Sequence, residues 1–313
     1  MINIAFMGSP QFAIPTLEML NKSDEINVSL VISQKDKKRN RNKISPTEVK
    51  KYALKKGLKV FTPDSVNSEE FLISLDEFKI DFIIVVAFGQ FIGEKLLNKY
   101  RNRIINLHPS KLPKYRGSSP IQYTLLNGDK RASVTSMLID KGMDSGDLLL
   151  QKETEVLESD DFYSLSKKLS LLGAEVILDT ILDFDNLFNN RISQNENDVI
   201  ITEKINKNHG KINWNMTGKQ IFDLCRALID YPKAFFEYKD IYLKTETINY
   251  ERYYSSIPGF VKEVNTKEGY IKIECSDGAI VLNKIQAPGK KMMPVKDFLM
   301  GNKFEEGIIL NNG

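Results

Sequence analysis

The stretch from Asp81 to Ala87 constrains the fold of this chain more strongly than any other. After Asp81 it reads Phe-Ile-Ile-Val-Val-Ala, so both faces of the strand that it predicts are apolar. Strands of this kind are buried on both sides, as they are in parallel sheets covered by helices. Similar strand-forming runs alternate with helical patterns over about 190 residues, and this alternation predicts an α/β fold with a doubly wound, mostly parallel sheet.

Apolar periodicity and the turn-forming residues between the apolar runs place the individual elements. In the first 188 residues, strands are predicted at Ile2–Met7, Ile26–Ser33, Leu58–Phe61, Asp81–Ala87, Arg103–Leu107, Ala132–Ile139 and, antiparallel, Asp147–Val156. Helices are predicted from Pro15, over Thr47–Lys56 and Ser68–Lys79, from Pro120, and over Ser159–Phe188. Later in the chain, a helix at Gly218–Leu228 precedes short strands at Ala234–Tyr238, Ile241–Thr247, Gly259–Val264, Tyr270–Cys275 and Ala279–Gln286. Short strands separated by turns are typical of a small β-barrel.

The composition narrows the class of protein. The chain has 313 residues, of which 42% are hydrophobic and 27% charged, as in ordinary globular proteins, and it has no apolar run of membrane-spanning length. We expect a soluble, cytoplasmic monomer without a membrane segment. Cys225 and Cys275 lie in different predicted elements, and the only histidines are His108 and His209. We therefore expect buried free thiols and no metal site.

A polar pair ends one of the predicted strands. Asn106 and His108 stand two positions apart where the apolar run from Arg103 gives way to a loop containing proline and glycine. The spacing puts both side chains on one face of the strand. Open α/β sheets bind ligands at the carboxyl ends of their strands. An isolated Asn-x-His pair is more often structural, but a second polar cluster changes this balance.

The second cluster is a loop rich in aspartate and glycine after the strand at Ala132–Ile139. It reads Asp140-Lys-Gly-Met-Asp144-Ser-Gly-Asp147. If this strand neighbours the one that ends at His108, Asp144 can meet the imidazole. The chain has neither a dinucleotide-binding glycine pattern nor a P-loop, so these motifs do not indicate a bound nucleotide.

These motifs resemble those of 10-formyltetrahydrofolate-dependent formyltransferases. The central ones are Asn106-x-His108-Pro-Ser-x-Leu-Pro113 with Arg116-Gly117, and Met143-Asp144-Ser145-Gly146-Asp147. Similarity extends over nearly the whole chain, at Phe6-Met7-Gly8-Ser9-Pro10, Gly210-Lys211-Ile212-x-Trp214 and Ala287-Pro288-Gly289-Lys290-Lys291. The resemblance implies a Rossmann-like catalytic domain followed by an OB-like barrel. It is strongest to members whose acceptor is the aminoacylated initiator tRNA.

The resemblance also implies roles for the clustered residues. Formyl transfer from N10 of the folate to an amine passes through a tetrahedral adduct whose oxygen is negatively charged. Asn106 and His108 would stabilise this oxygen. Asp144 would orient His108, favour its protonated form and assist proton transfer. The implied contacts with the 10-formyltetrahydrofolate co-substrate are Phe88, Gly89, Gln90, Ser110, Lys111, Leu112, Pro113 and Asp140.

A basic segment follows the strand predicted at Ile26–Ser33. Seven of the ten residues from Gln34 to Lys43 are Lys, Arg or Asp, and none is large and apolar, so we expect the segment to be mobile in the free protein. In family members that act on tRNA the corresponding loop contacts the acceptor arm, and Arg41 matches an important arginine. The family's proline and glycine in this loop are not kept. The implied tRNA contacts are Lys37, Lys38, Arg39, Arg41, Lys43, Lys290 and Lys291.

We therefore predict a folate-binding catalytic domain at 1–188, a linker at 189–205 and a tRNA-binding OB-like domain at 206–313. Two alternatives stay open. A formyltransferase acting on a small amine, of the glycinamide ribonucleotide or amino-sugar type, would share the catalytic core. A non-catalytic RNA-binding protein would be expected to have lost one of Asn106, His108 and Asp144, and all three are present.

Overall fold

The computed structural model describes residues 1–39, 43–246, 248–254 and 256–311, and the chain divides into two compact units. The first consists of Met1–Pro120, Arg131–Glu155 and Ser166–Thr202. The second consists of Ile121–Lys130, Val156–Leu165 and Glu203–Gly313. The division predicted at residues 188 and 206 does not coincide with these units, because residues 189–202 group with the first unit and two earlier segments group with the second.

The first unit is built on a large sheet. Its strands, with the short ones that flank the sheet, are β1 Ile2–Gly8, β2 Ile26–Ile32, β3 Lys37–Arg39, β4 Lys43–Ser45, β5 Val60–Phe61, β6 Phe82–Val86, β7 Ile104–His108, β8 Lys114–Gly117, β9 Arg131–Leu138, β10 Leu148–Glu155 and β11 Ile200–Thr202. Seven of them pair in the order β10-β9-β7-β6-β1-β2-β5. β9 alone runs in the direction opposite to the other six strands of this sheet. The predicted mostly parallel sheet is confirmed.

Helices connect these strands, and several begin at residues that cap them. They are α1 Ile14–Lys22, α2 Glu48–Lys55, α3 Glu69–Ser74, α4 Glu94–Lys99, α5 Pro120–Leu126, α6 Phe162–Leu182 and α7 Phe184–Asn189. The Thr47 hydroxyl accepts a hydrogen bond from the Lys50 amide over 3.0 Å and thereby satisfies an otherwise free amide of the first turn of α2. No helix in the described residues is both long and apolar enough to cross a lipid bilayer.

The core of the first unit explains why the sequence of β6 is apolar on both faces. All five of its residues are buried, and Ile83 and Val85 pack in a cluster with Phe71, Leu75 and other apolar side chains. Burial of one such side chain contributes about 1.5 to 3 kcal/mol. The rigid centre of the sheet therefore lies beside β7, the strand that ends at His108.

The strand β9 lies next to β7 but runs in the opposite direction. His108 pairs with Thr135, whereas Ile105, near the start of β7, pairs with Leu138. The acidic loop after β9 consequently begins beside the amino end of β7. It must turn back along the sheet to bring Asp144 to the end where His108 lies, and the sequence did not predict this reversal.

Two segments expected to lack regular structure contain paired strands. In the basic segment, β3 and β4 pair antiparallel, with Lys37 opposite Ser45. The segment predicted to be mobile thus has paired backbone at Lys37–Arg39 and Lys43–Ser45, while Arg41 lies outside the described residues. In the predicted linker, β11 pairs in parallel with β8, and Ile192 forms a β-bridge with Leu148. Residues 189–202 are thus part of the first unit.

The second unit carries antiparallel strands. They are β12 Ala234–Tyr238, β13 Ile241–Thr245, β14 Ile248–Arg252, β15 Val261–Asn265, β16 Tyr270–Cys275, β17 Gly278–Leu282, β18 Lys284–Ile285 and β19 Met293–Pro294, with helices α8 Gly218–Ala227 and α9 Val295–Gly301. The strands pair as β12-β13, β14-β17-β16-β15 and β18-β19. A bridge from Lys244 to Gln286 joins the first pair to the segment after β18. The five predicted strands are present, and the sequence missed β14, β19 and α9.

The two cysteines are buried free thiols, as predicted. Burial raises the pKa of the Cys225 thiol to about 12 and that of Cys275 to about 11. His209 has a structural role, since its Nδ1 accepts the Asn206 amide proton in a capping box.

Candidate active site

The end of β7 presents one amide and one imidazole at the edge of the sheet. His108 is 5% exposed, whereas Asn106 is half-buried. Within the described part of the chain, the Asn106 side chain makes no hydrogen bond. A polar group on a rigid strand that has no protein partner is free to bind a ligand.

The two ring nitrogens of His108 face different groups. Nε2 lies 2.8 Å from the Tyr115 carbonyl oxygen. A carbonyl oxygen can only accept, so Nε2 carries the proton and donates it. Nδ1 lies 3.6 Å from Asp144 Oδ2, which is too long for a direct hydrogen bond but within ion-pair distance of a protonated ring. Of the two nitrogens, Nδ1 is therefore the one free to approach a substrate.

Asp144 is held against the loop that follows β7. The Gly117 N–H donates to Asp144 Oδ2 over 2.8 Å, and the carboxylate is 19% exposed. Asp144 Oδ1 accepts no hydrogen bond from any described residue. The structure therefore brings Asp144 beside His108, as predicted from the sequence, with one carboxylate oxygen available to solvent or substrate. Asn106 lies two residues before His108 on the same strand.

Left-handed backbone conformations concentrate around this cluster. The φ angles are +65° at Tyr115, +63° at Ser119 and +52° at Asp144, and +48° at Ala87 directly after β6. Each costs of order 1 kcal/mol or more for a residue with a Cβ, and such strain is concentrated at functional sites. The chain thus bears an energetic cost to aim the Tyr115 carbonyl and the Asp144 side chain.

The turn after β6 is predicted to contact folate, and it is held in place by hydrogen bonds and by burial of the Phe88 ring. The ring of Phe88 is buried in the apolar cluster of β6, so only its backbone can meet a ligand. Gln34 Nε2 donates to the carbonyl oxygens of Phe88 and Gly89 over 3.0 and 2.9 Å. The Gln90 amide is also occupied within the fold, since its Oε1 accepts from the Val66 amide over 3.0 Å.

The other predicted folate contacts have mixed environments. Ser110 is buried and donates to the Lys114 carbonyl over 2.7 Å, and Leu112 packs on Met137 and Leu148. The Lys111 side chain is exposed and pairs with Glu153 over 2.6 Å. Asp140 Oδ1 accepts from Ser145 over 2.7 Å. The side chains of Ser110 and Leu112 are therefore engaged within the fold.

The residues predicted to contact tRNA differ in how much the structure says of them. Lys37 is exposed, and its ammonium donates to Gln34 Oε1 over 3.1 Å. The side chains of Lys38, Arg39 and Lys43, and all of Arg41, lie outside the described residues. Lys290 and Lys291 are exposed, and neither forms an ion pair in the parts of the chain that are described.

Sequence reasoning missed two residues that support this site. Gln194 Oε1 accepts from Arg116 Nε over 2.9 Å, and Glu196 binds the same guanidinium through both oxygens, at 2.9 and 3.2 Å. The hydrogen bond from Arg116 holds the pKa of Glu196 below its usual value. Arg116 belongs to the motif that resembles formyltransferases, but its partners lie about 80 residues away in a segment without an apolar pattern, so no pattern in the sequence indicates them.

The site combines an amide and an imidazole, which can donate hydrogen bonds, with a carboxylate. The Asn106 amide and His108 can stabilise a developing oxyanion, and the carboxylate can accept a proton directly or through water. The described part of the site contains no serine or cysteine paired with a histidine, and the hydroxyl of Ser145 is bound to Asp140. This arrangement suits an acyl transfer in which the substrate supplies the nucleophile.

Comparison with known proteins agrees with this chemistry. Residues 2–181 match the family model described as formyl transferase, and residues 204–303 match the model described as formyl transferase, C-terminal domain. The chain is 44% identical to a protein named methionyl-tRNA formyltransferase from Finegoldia magna, covering 98% of this chain and 99% of that protein. A protein of the same name from Thermodesulfovibrio yellowstonii is 37% identical, with 97% of each chain covered.

A solved structure shows the same fold. It is an N-formyltransferase from Helicobacter canadensis in complex with folinic acid and dTDP-3-aminofucose, 22% identical, with a TM-score of 0.66 over 92% of this chain and all of that one. The two family models together span most of the sequence, and the relatives match it almost from end to end. The chain therefore belongs to the formyl transferase family.

Proposed function

We propose that this protein transfers the formyl group of 10-formyltetrahydrofolate to the amino group of methionyl initiator tRNA. The observation that carries the proposal is the length of the similarity, because proteins named for this reaction match both units at 44% and 37% identity. A fold relative with bound folinic acid supports a folate-derived donor. The reaction belongs to translation initiation and would take place in the cytoplasm, with the protein acting as a monomer.

In this proposal the amine of the acceptor is the nucleophile. Its nitrogen attacks the formyl carbon, the carbonyl double bond opens, and a tetrahedral adduct with an anionic oxygen forms. Collapse of the adduct breaks the bond between this carbon and N10, while one proton leaves the amine and one reaches N10. The products are the formylated amine and tetrahydrofolate.

Two side chains are suited to stabilise the adduct oxygen. The Asn106 amide makes no hydrogen bond within the described residues, so no existing bond must break before it donates. His108 would donate through Nδ1 as an imidazolium, because the proton on Nε2 is already bound to the Tyr115 carbonyl at 2.8 Å. Loss of one such donor typically costs about 3 kcal/mol of activation free energy.

Asp144 would act on both His108 and the moving proton. Its Oδ2 lies 3.6 Å from His108 Nδ1 and would stabilise positive charge on the ring in the transition state. Its Oδ1 would accept the proton released by the amine, directly or through one water, and return it to N10. General acid and base transfers of this kind contribute roughly 10²- to 10⁴-fold.

Within this proposal the predicted regions take distinct roles. The region 1–188 would bind folate through Phe88, Gly89, Gln90, Ser110, Lys111, Leu112, Pro113 and Asp140, and the region 206–313 would bind tRNA. Lysines without an ion pair can each neutralise one phosphate. The proposed phosphate contacts are Lys37, Lys38, Arg39, Arg41, Lys43, Lys290 and Lys291.

The test is formyl transfer by the purified protein from 10-formyltetrahydrofolate to charged initiator tRNA. Activity on this tRNA, with kcat/KM falling steeply as salt rises, is expected of a polyanionic acceptor. Transfer to glycinamide ribonucleotide or an amino sugar with weak salt dependence, and none to the tRNA, would contradict the acceptor proposed here.

Variants test the catalytic assignment. Asn106→Ala and His108→Ala should each lower kcat by about 10²- to 10³-fold. Asn98→Ala, which changes an exposed asparagine of α4, serves as the control and should be fully active. Folded Asn106→Ala and His108→Ala proteins with normal turnover would show that these side chains are not catalytic.

A further inference from the structure

We propose that Gln194 is a positioning residue for the reaction, because its side-chain amide fixes the loop that presents Asp144. The inference rests on the proposed function for its kinetic part only. Gln194 lies in the segment that the sequence analysis predicted to be a linker. Its contacts are to the acidic loop that carries Asp144 and to Arg116 on β8.

Three hydrogen bonds use the whole amide of Gln194. Nε2 donates to the carbonyl oxygens of Asp144 and Gly146 over 2.9 and 2.8 Å. Oε1 accepts from Arg116 Nε over 2.9 Å. The Gln194 side chain therefore ties the acidic loop to Arg116 on β8, in addition to the bond between Gly117 and the Asp144 carboxylate.

The acidic loop has a conformation that needs such support. Asp144 is left-handed, with φ at +52°, and a Cβ at Gly146 would collide with the Leu138 carbonyl oxygen. The loop is thus closely packed at Gly146 and strained at Asp144. Both carbonyl oxygens that Gln194 binds belong to these two residues, so its NH₂ group holds the strained turn directly.

The other end of the Gln194 amide is held by a buried cation. Arg116 is 7% exposed, and Glu196 satisfies the outer face of its guanidinium with two bonds. The neighbouring Gly117 gives its amide proton to Asp144 Oδ2 over 2.8 Å. Gln194 therefore holds the backbone of Asp144, and the Gly117 amide holds its carboxylate. Arg116 connects the two, because its side chain binds Gln194 and its backbone directly precedes Gly117.

The segment that carries Gln194 is itself attached to the first unit. Asp147 binds Arg191 Nε over 2.9 Å and the Ser193 hydroxyl over 2.8 Å. On the far side of Gln194, the Thr202 hydroxyl donates to the Arg116 carbonyl over 3.1 Å. These bonds fix the backbone on both sides of Gln194, so a change in its side chain alone can loosen the turn without detaching the segment.

The substitution Gln194→Glu tests the NH₂ group of the Gln194 amide separately from its oxygen. The variant retains an oxygen for Arg116 and gains an ion pair there, which offsets part of the stability lost at the other end of the side chain. Its second oxygen replaces the NH₂ donor and faces two carbonyl oxygens, which repel it. We expect kcat to fall on the order of tenfold to a hundredfold while KM for tRNA changes less than about twofold, since small misplacements of catalytic groups have effects of this size.

A second measurement does not depend on the acceptor. Hydrogen exchange at the Gly117 amide reports its bond to Asp144, and in Gln194→Glu it should be at least about tenfold faster than in the wild type. The matched control is Asn197→Ala, an exposed amide in the same segment, which should change neither exchange nor kcat.

The outcomes separate the two proposals. Unchanged exchange at Gly117 in folded Gln194→Glu would overturn the inference whatever the acceptor is. Faster exchange with unchanged kcat would overturn the catalytic part and leave a merely structural contact. If wild-type protein failed to formylate the tRNA, the proposed function would fall, while the exchange result would still decide whether Gln194 positions Asp144. If Gln194→Glu did not fold, Gln194→Met, which removes all three bonds without adding charge, would give the same comparison.

Discussion

Replacing Asp144 by asparagine tests the proposed partnership with His108 directly. Asparagine has nearly the same shape, and its side-chain oxygen can still accept the hydrogen bond that the Gly117 amide gives to Asp144 Oδ2 over 2.8 Å. The turn is therefore kept, while the negative charge opposite Nδ1 is removed. From the lost charge alone we expect kcat for formyl transfer to fall by about 10²- to 10³-fold with the fold intact, and loss of the proton acceptor Oδ1 lowers it further.

The magnitude follows from the separation of 3.6 Å between Asp144 Oδ2 and His108 Nδ1. At an effective dielectric constant of about 20, unit charges at this distance attract by about 4 to 5 kcal/mol. The carboxylate is 19% exposed, and solvent screening lowers the expected loss to about 3 to 4 kcal/mol when the ring is charged in the transition state. Since about 1.4 kcal/mol corresponds to tenfold, the rate falls by two to three orders of magnitude.

The assay is single-turnover formylation at saturating folate and tRNA, which isolates the chemical step from product release. The control is Asp179→Asn, because Asp179 is a half-exposed carboxylate of α6 that pairs with Lys152 over 2.7 Å. Thermal unfolding of both variants checks that the fold is kept. An Asp144→Asn enzyme with a third or more of wild-type turnover would refute the electrostatic role assigned to the carboxylate.

Three further predictions address other parts of the molecule. Gln34→Ala removes the amide that donates to the carbonyl oxygens of Phe88 and Gly89, and among the described residues only Phe88 keeps a second donor, the Ser9 hydroxyl. The variant should raise KM for 10-formyltetrahydrofolate several-fold at nearly constant kcat, and an unchanged KM would speak against a folate site at this turn. Replacing both Lys290 and Lys291 by alanine should reduce the magnitude of the slope of log kcat/KM against log salt by about 1.4 to 1.8. The control is Lys267→Ala, which changes an exposed lysine without an ion pair in the described residues and should leave the slope unchanged. Equal slopes in all proteins would show that Lys290 and Lys291 do not contact the tRNA. Burial acts to raise the pKa of Glu274, but the Ile257 amide, the Tyr253 hydroxyl and Lys262 outweigh it and leave the pKa below its usual value. The resulting stabilisation is present above the unfolded-state pKa and is lost as pH falls through the lower folded-state value. Glu274→Gln should therefore cost about 2 kcal/mol of unfolding free energy at pH 7 and progressively less below about pH 4 in urea titrations, and a difference independent of pH would contradict this account.

Much of the first unit could be predicted because its signals are local. The apolar run of β6 fixes a buried central strand, and residues two apart on β7 must share a face. The convergence of Asn106 and His108 followed from this alternation alone. The approach of Asp144 required one further assumption, that β9 lies beside β7, and the structure confirms it.

The hydrogen bonds that hold the site residues in place could not be predicted, because they join residues that are distant in the sequence. Gln194 and Glu196 meet Arg116 across about 80 positions, in a polar segment whose composition is typical of a linker. Hydrogen-bonding capacity leaves no periodic trace in a sequence, so such a segment cannot be distinguished from a flexible one before its partners are known. Phe88 illustrates the reverse case, since an aromatic residue in a predicted binding turn is buried in the core.

The chemistry of His108 depends on a backbone detail that no side-chain pattern encodes. A histidine can use either ring nitrogen, and the sequence indicates only that an imidazole is present. The left-handed φ of +65° at Tyr115 belongs to a turn in which the Tyr115 carbonyl oxygen lies 2.8 Å from Nε2, which commits that nitrogen as a donor and leaves Nδ1 for the substrate side. A variant that relaxes the strain, Tyr115→Gly, should therefore stabilise this conformation locally through glycine's tolerance of positive φ, yet it removes a buried ring and loses about 3 kcal/mol or more of packing energy. Because the second effect is larger, tyrosine at a left-handed position indicates that packing of its ring, and not local backbone preference, holds the carbonyl in place for His108.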